Sequence, residues 1–227
     1  MSVKIAASIL SADYGNLARD VNEAEDAGVD MIHFDIMDGR FVPNITFGHG
    51  VVQALRKGCR LPFFVHLMAV EPERQVASFA RAGAEIISFH LEASKSPSRV
   101  IRLIREAGVG VGVALNPSTA LSSARGLMGE VNYLLLMTVR PGFPGKRLIK
   151  SVLPKVRMAR AELLERGPKC LIAVDGGINP KTAPLAVKAG ADVLVAGSAI
   201  FGRDVKSAVK DLRRSLSLPV SRKRELR

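Results

Sequence analysis

Tryptophan is absent from this 227-residue chain, tyrosine occurs twice, and aromatic residues make up only 5%. A stacking platform for nucleic-acid bases needs aromatic side chains, so that function is poorly supplied. Cysteine is scarce as well. Cys59 and Cys170 are the only two and form no CxxC pair. That argues against a disulfide framework and suits a reducing cytoplasm. No apolar run reaches the roughly 18 residues that a membrane-spanning helix needs. The N-terminus is apolar but soon meets Asp13 and Tyr14, with no basic region leading into a long hydrophobic one. A first strand is expected there, not a signal peptide. Acidic residues are outnumbered: 33 Lys and Arg against 21 Asp and Glu leave a net charge of +12. Such an excess suits nucleic acid, an anionic surface or anionic small substrates. Much of it crowds the C-terminus, at Arg213, Arg214, Arg222, Lys223, Arg224 and Arg227. This reads as a solvated helix end followed by a disordered basic tail over 221–227.

What remains is an ordinary globular composition, 48% hydrophobic and 24% charged. Short apolar runs at 4–10, 31–36, 63–68, 86–90, 109–115, 133–138, 170–174 and 193–196 predict strands. Segments with helical periodicity lie between them, for example at 16–27, 73–82, 97–107 and 181–189. Four helices are expected to stop at Ala-Gly pairs, where Gly28, Gly83, Gly108 and Gly190 can take the left-handed C′ position. Alternating strands and helices predict a parallel sheet, and eight such units close into a (β/α)8 TIM barrel. No linker divides the chain, so one barrel domain over 1–220 is expected. An open doubly wound sheet is the alternative, but no GxGxxG follows an early strand.

The residues that break the apolar runs carry the functional signal. His33 and Asp35 stand two apart in a strand and therefore share one face. His66 interrupts the third run and Asp175 closes the seventh. Barrel enzymes gather their chemistry at the C-terminal strand ends, where all four are expected. Two imidazoles and two carboxylates suit a divalent metal ion. Taken singly, each is more often a hydrogen-bonded core residue or a turn, and Asp38-Gly39 reads as such a turn. Met37, Met68 and Met137 flank the same strand ends. They fill gaps in a core or form a polarizable, dry wall around a site. Glycine-rich segments follow the last three strands: Arg140-Pro141-Gly142-Phe143-Pro144-Gly145-Lys146, Asp175-Gly176-Gly177 and Ala196-Gly197-Ser198-Ala199. Their clustering suggests a backbone cradle for phosphate.

In this order, the motifs His33-Phe34-Asp35-Ile36-Met37-Asp38-Gly39, Phe41-Val42-Pro43-Asn44, Val65-His66-Leu67-Met68, Met137-Thr138-Val139, Pro141-Gly142-Phe143 and Val174-Asp175-Gly176-Gly177 resemble the ribulose-phosphate 3-epimerases. The resemblance runs from Ser8 to Phe201. It implies a TIM barrel with one divalent ion, zinc or iron(II), with manganese or cobalt as alternatives. The implied ligands are His33, Asp35, His66 and Asp175. Asp35 and Asp175 would also be the two acid/base residues, passing a proton across C3 of D-ribulose 5-phosphate through a cis-enediolate to give D-xylulose 5-phosphate. Ser8 and His66 would touch the substrate. Gly142, Phe143, Pro144, Gly145, Gly176, Gly177, Gly197 and Ser198 would surround its phosphate. A ketose phosphate substrate and a homo-oligomer, dimer or hexamer, are implied; from the composition no membrane partner is expected, and nucleic acid is the less favoured partner.

The chain departs from the family at Pro144 and Lys146, where Gly and Gln are usual, at Arg40 for His, and at Phe64 for Asp. Pro144 has no N–H to offer a phosphate, and Arg140, Lys146 and Arg147 could offset that by charge. Epimerases of other ketose phosphates, such as allulose 6-phosphate or a tetrulose phosphate, are therefore kept open. So is a basic nucleic-acid-binding barrel. Decarboxylase or aldolase chemistry would call for a Lys where the second and third strands carry His and Asp.

Overall fold

The expected apolar runs become the staves of a closed barrel in the computed structural model, which describes residues 2–166 and 170–217. The strands are β1 (Lys4–Ser8), β2 (Met31–Met37), β3 (Phe63–Met68), β4 (Ile86–His90), β5 (Gly110–Leu115), β6 (Tyr133–Met137), β7 (Leu171–Asp175) and β8 (Val193–Ala196). Each pairs in parallel with the next, and β8 returns to β1. The helices are α1 (Leu17–Asp26), α2 (His49–Arg56), α3 (Val76–Arg81), α4 (Pro97–Glu106), α5 (Leu153–Arg166), α6 (Ala183–Ala189), α7 (Ser198–Phe201) and α8 (Val205–Ser217).

The strands read as unbroken apolar runs because both of their faces are covered. Every residue of β2, β3 and β4 is buried. Outward residues such as Ile32, Phe34 and Ile36 join the main core beneath the helices. Inward residues Ala6, Met31, Phe64, Ile86, Ala114, Leu135, Ala173 and Val193 form a second cluster that plugs the barrel. Each large side chain so buried contributes about 1.5–3 kcal/mol. The four Ala-Gly stops hold: Gly28, Gly83, Gly108 and Gly190 have φ of +84°, +101°, +76° and +112°. That is the region in which a helix is released into a following strand.

Some boundaries differ from expectation. β1 ends at Ser8, where Ile9–Ser11 turn into a 3₁₀ segment, and β2 runs on to Met37. His33 and Asp35 therefore lie within β2, not at its end. The segment 73–82 is helical only from Val76, after a short 3₁₀ turn at Pro72–Arg74. Between β5 and β6 the described residues hold no α-helix, only the 3₁₀ turn Leu121–Ala124. Arg213 was expected on a solvated helix end. Instead it reaches from α8 to Asp30 at 2.6 Å, and to the carbonyls of Val3 and Gly28. It fastens the last helix to the start of the barrel. The expected tail at 221–227, and the last residues of the expected domain at 218–220, lie outside the described residues.

Cys59 and Cys170 are free and buried. Burial pushes their thiols up to about 11 and about 12, so both are inert as nucleophiles. No helix among the described residues is long and apolar enough to cross a membrane.

Candidate active site

Strand register brings the unusual residues together. β2 and β3 are aligned so that Asp35 faces His66, while Ser8 of β1 faces His33 and Asp175 of β7 faces Met137 of β6. His33 Nε2 lies 3.4 Å from Asp35 Oδ1 and 3.6 Å from Asp175 Oδ2. His66 Nδ1 lies 3.2 Å and 3.6 Å from the same two oxygens. Four donor atoms, one from each residue, are within 4.8 Å of one another, and all four residues are buried. Cation–ligand bonds of about 2.0–2.1 Å separate neighbouring ligands by roughly 3.0–3.4 Å. The cage fits a divalent cation. A second observation points the same way: both ring nitrogens of His33 are buried without a hydrogen-bond partner. A metal ion between the carboxylates would satisfy one of them, Nε2, which faces Asp35 and Asp175.

The two carboxylates sit in opposed surroundings. Burial disfavours charge on Asp35, but the imidazoles of His33 and His66 outweigh it and hold the carboxyl well below its usual range. The Ser8 hydroxyl also donates to Asp35 Oδ2 at 2.6 Å. Asp175 moves the other way: burial, then repulsion from Asp35, raises it. Burial opposes charge on His66 too, yet Asp175 and Asp35 raise its ring to about 9. Carboxylates that favour a proton there favour any cation there.

Above the cage opens a cleft of about 530 Å³, counted to open solvent. Asp35 and Asp175 reach it. Ser8, the three methionines Met37, Met68 and Met137, and the segments 141–146, 176–178 and 197–198 line it. The structure thus brings Gly142, Phe143, Pro144, Gly145, Gly176, Gly177, Gly197 and Ser198 to one cleft. His33 and His66 do not line it; both are 0% exposed and lie beneath its floor. Thr138 braces the glycine turn by donating to the carbonyls of Asp175 and Gly176. At Gly177, φ is +67° and an added Cβ would stand 2.2 Å from the Leu148 nitrogen, so only glycine fits. Asn44 ties the loop after β2 to the loop after β6 by donating to the Gly142 carbonyl at 2.9 Å. Lys146 folds back onto the Arg140 carbonyl at 2.9 Å. The turn expected at Asp38-Gly39 is present, with Asp38 accepting from the N–H groups of Arg40, Phe41 and Val70.

One polar residue at the site was missed. His90 ends β4 with 0% exposure, its Nε2 3.0 Å from His66 Nε2 and its Nδ1 3.1 Å from Glu92 Oε2. Burial keeps this ring neutral, bringing it down to about 4. Burial resists the charge on Glu92, but hydrogen bonds from His90, Thr119 and Asn116 bring it to about 2. The signal was in the sequence: His90 and Glu92 repeat, from the end of the fourth apolar run, the two-residue spacing of His33 and Asp35.

A closed parallel barrel with ionisable groups and glycine turns at the C-terminal ends of its strands defines a TIM-barrel enzyme. Solved structures agree on the fold. The chain matches 3-hexulose-6-phosphate synthase with a TM-score of 0.72 at 22% identity, covering 94% of this chain and 100% of that one. It matches orotidine 5'-phosphate decarboxylase from Pyrococcus horikoshii OT3 with a TM-score of 0.65 at 17% identity, covering 93% and 98%. The chain belongs to the ribulose-phosphate 3-epimerase family, whose model matches residues 4–201. The ribulose-phosphate 3-epimerase of Bacillus subtilis is 48% identical over 94% of this chain and 99% of its own length. That of Methanocaldococcus jannaschii is 50% identical over 93% and 90%, and that of Escherichia coli K12 is 43% identical over 94% and 96%.

Proposed function

We propose that this chain is a metal-dependent 3-epimerase that interconverts D-ribulose 5-phosphate and D-xylulose 5-phosphate by two-base proton transfer. The observation that carries it is the pair Asp35 and Asp175, on β2 and β7, opening into one cleft above a four-donor cage. Inverting C3 of a 2-ketose means removing a proton from one face and returning one to the other. A single base would have to move, or the intermediate turn over. Two carboxylates from separate strands need neither. Asp35, kept ionised by its imidazoles and by Ser8, takes the C3 proton and leaves an enediolate. Asp175, whose surroundings favour the acid form, returns a proton to the opposite face. The reverse reaction exchanges the roles.

His33 Nε2, His66 Nδ1, Asp35 and Asp175 would hold the cation, zinc or iron(II) by preference. When bound, it supplies Lewis-acid stabilisation of the negative charge beside the reacting carbon. Met37, Met68 and Met137 exclude water from the enediolate without adding competing polar groups. The glycine turns after β6, β7 and β8 receive the phosphate through their N–H groups, and Lys146 adds charge where Pro144 removes a donor. The enzyme works in the cytoplasm as a homo-oligomer.

Metal analysis of the purified protein, combined with C3 proton exchange on ribulose 5-phosphate, tests this reading. One divalent ion per chain and exchange that stops on chelation are expected. Full exchange after exhaustive chelation would overturn the metal requirement. The Pro144 and Lys146 departures favour a second reading, another ketose phosphate as preferred substrate. A panel of ketose phosphates decides between them by kcat/KM.

A further inference from the structure

His90 is a buried ionisable group that the proposed proton transfer does not use. It does not line the cleft. Its ring meets that of His66 edge to edge, with centroids 5.0 Å apart and planes inclined by 30°, and the Phe41 ring lies at 4.8 Å. The hydrogen bonds around it fix its proton. Glu92 is held in place because its Oε1 accepts from the Asn116 N–H at 2.8 Å and from the Thr119 hydroxyl. A carboxylate only accepts, so the proton between Glu92 and His90 sits on His90 Nδ1. A neutral imidazole with Nδ1–H has a bare lone pair at Nε2. That lone pair faces His66 Nε2 at 3.0 Å, so His66 must donate from Nε2. Its Nδ1, which lies 3.2 Å from Asp35 Oδ1, is then the nitrogen that can give up its proton to the two carboxylates and turn its lone pair to a cation. With His90 reversed, the His66 proton would be forced onto Nδ1, into the cation's place.

We propose that His90 and Glu92 are positioning residues: through two successive hydrogen bonds they set the tautomer of His66 and so prepare its Nδ1 as a metal ligand. The inference rests on the metal reading above. Outer partners of a ligating histidine typically change metal affinity by about 10- to 100-fold. Here the partner of the ligand is a second histidine, and the carboxylate stands one ring further out.

The test uses the full chain and zinc. His90→Phe keeps an aromatic ring but removes the acceptor, whereas His90→Gln keeps a carbonyl that can accept. Zinc affinity is measured by competition with a chelator. Nitrogen NMR of the metal-free wild type reads which ring nitrogen of His90 carries the proton. His90→Phe should weaken zinc binding by about 10- to 100-fold, and His90→Gln should recover most of the loss. Glu92→Gln can turn its amide nitrogen toward His90, so it should admit the reversed tautomer and cost less. KM should change little while turnover at limiting zinc falls, since His90 touches no part of the cleft. Zinc binding by His90→Phe as tight as wild type, or a wild-type proton on His90 Nε2, would overturn the inference and leave the metal reading intact. Should His90→Phe not fold, Glu92→Gln decides, because unchanged affinity and an unchanged His90 tautomer in that variant overturn it too. Wild-type protein that takes up no divalent cation overturns the metal reading, and this inference with it.

Discussion

On β2, Met31 faces the barrel interior two positions before His33; on β3, Phe64 does so two positions before His66; on β7, Ala173 precedes Asp175 in the same way. One set of strands thus builds two floors. The floor toward the strand N-termini is wholly apolar. The floor above it holds Ser8, His33, Asp35, His66, Ser88, His90 and Asp175, all buried. The lower floor gains stability from burial and needs no partner. The upper floor gives up that gain, because every polar group removed from water must find a partner or carry a cost. Most of its partners are one another, with Glu92 beyond His90, and among the described residues the two ring nitrogens of His33 have no hydrogen-bond partner. Identical backbone geometry therefore separates stability from chemistry by a step of two residues.

The sharpest way to break this comparison is at the carboxylates. Asp35→Asn and Asp175→Asn should each lower epimerase turnover by about 10³-fold or more while the barrel stays folded. Circular dichroism and turnover measured on the same samples check both halves, and near wild-type turnover in either variant would sink the two-base assignment. The lower floor should respond in the opposite sense. Leu135→Ala should cost about 2–5 kcal/mol in chemical denaturation, with turnover per folded molecule within a few-fold of wild type.

Glu92 tests whether the upper floor contributes any stability at all. Against its burial, its carboxyl is held at about 2, below the usual 4.5, by hydrogen bonds from His90, Thr119 and Asn116. A depressed carboxyl stabilises the fold above its unfolded value, and the contribution is lost as pH falls from about 4.5 toward 2. The stability gap between wild type and Glu92→Gln should therefore narrow over that window, and a gap independent of pH would mean that the charge on Glu92 contributes nothing. The smallest effect is expected at the rim. Pro144→Gly restores a backbone N–H beside the proposed phosphate site, and KM should fall by about threefold. A KM unchanged or raised in steady-state assays would show that the phosphate does not reach that N–H.

Much of the fold was legible because the physics is local. Apolar runs covered on both faces read as strands, and Ala-Gly stops read as helix ends, with Gly28, Gly83, Gly108 and Gly190 all left-handed. The expectation of a helix in every crossover failed between β5 and β6, where the chain returns with only a 3₁₀ turn. Arg213 read as solvated charge because nothing near it in sequence announces Asp30, which reaches it only after the barrel closes. His90 was passed over for the same reason. Alone at a strand end it resembles a core histidine, and its meaning lies in the His66 nitrogen across the β3–β4 pair.

The sequence by itself determined that this chain is a parallel barrel of the epimerase family and that His33 and Asp35 share a face, because a strand repeats every two residues whatever surrounds it. It also supplied four residues of the types that bind divalent cations. Only the tertiary structure decided that their donor atoms meet within 4.8 Å, that the histidines lie beneath the floor while the carboxylates reach the cleft, and that His90 and Glu92 stand behind His66. Those distances depend on register and closure, which fix across eight strands what local periodicity can fix only along one.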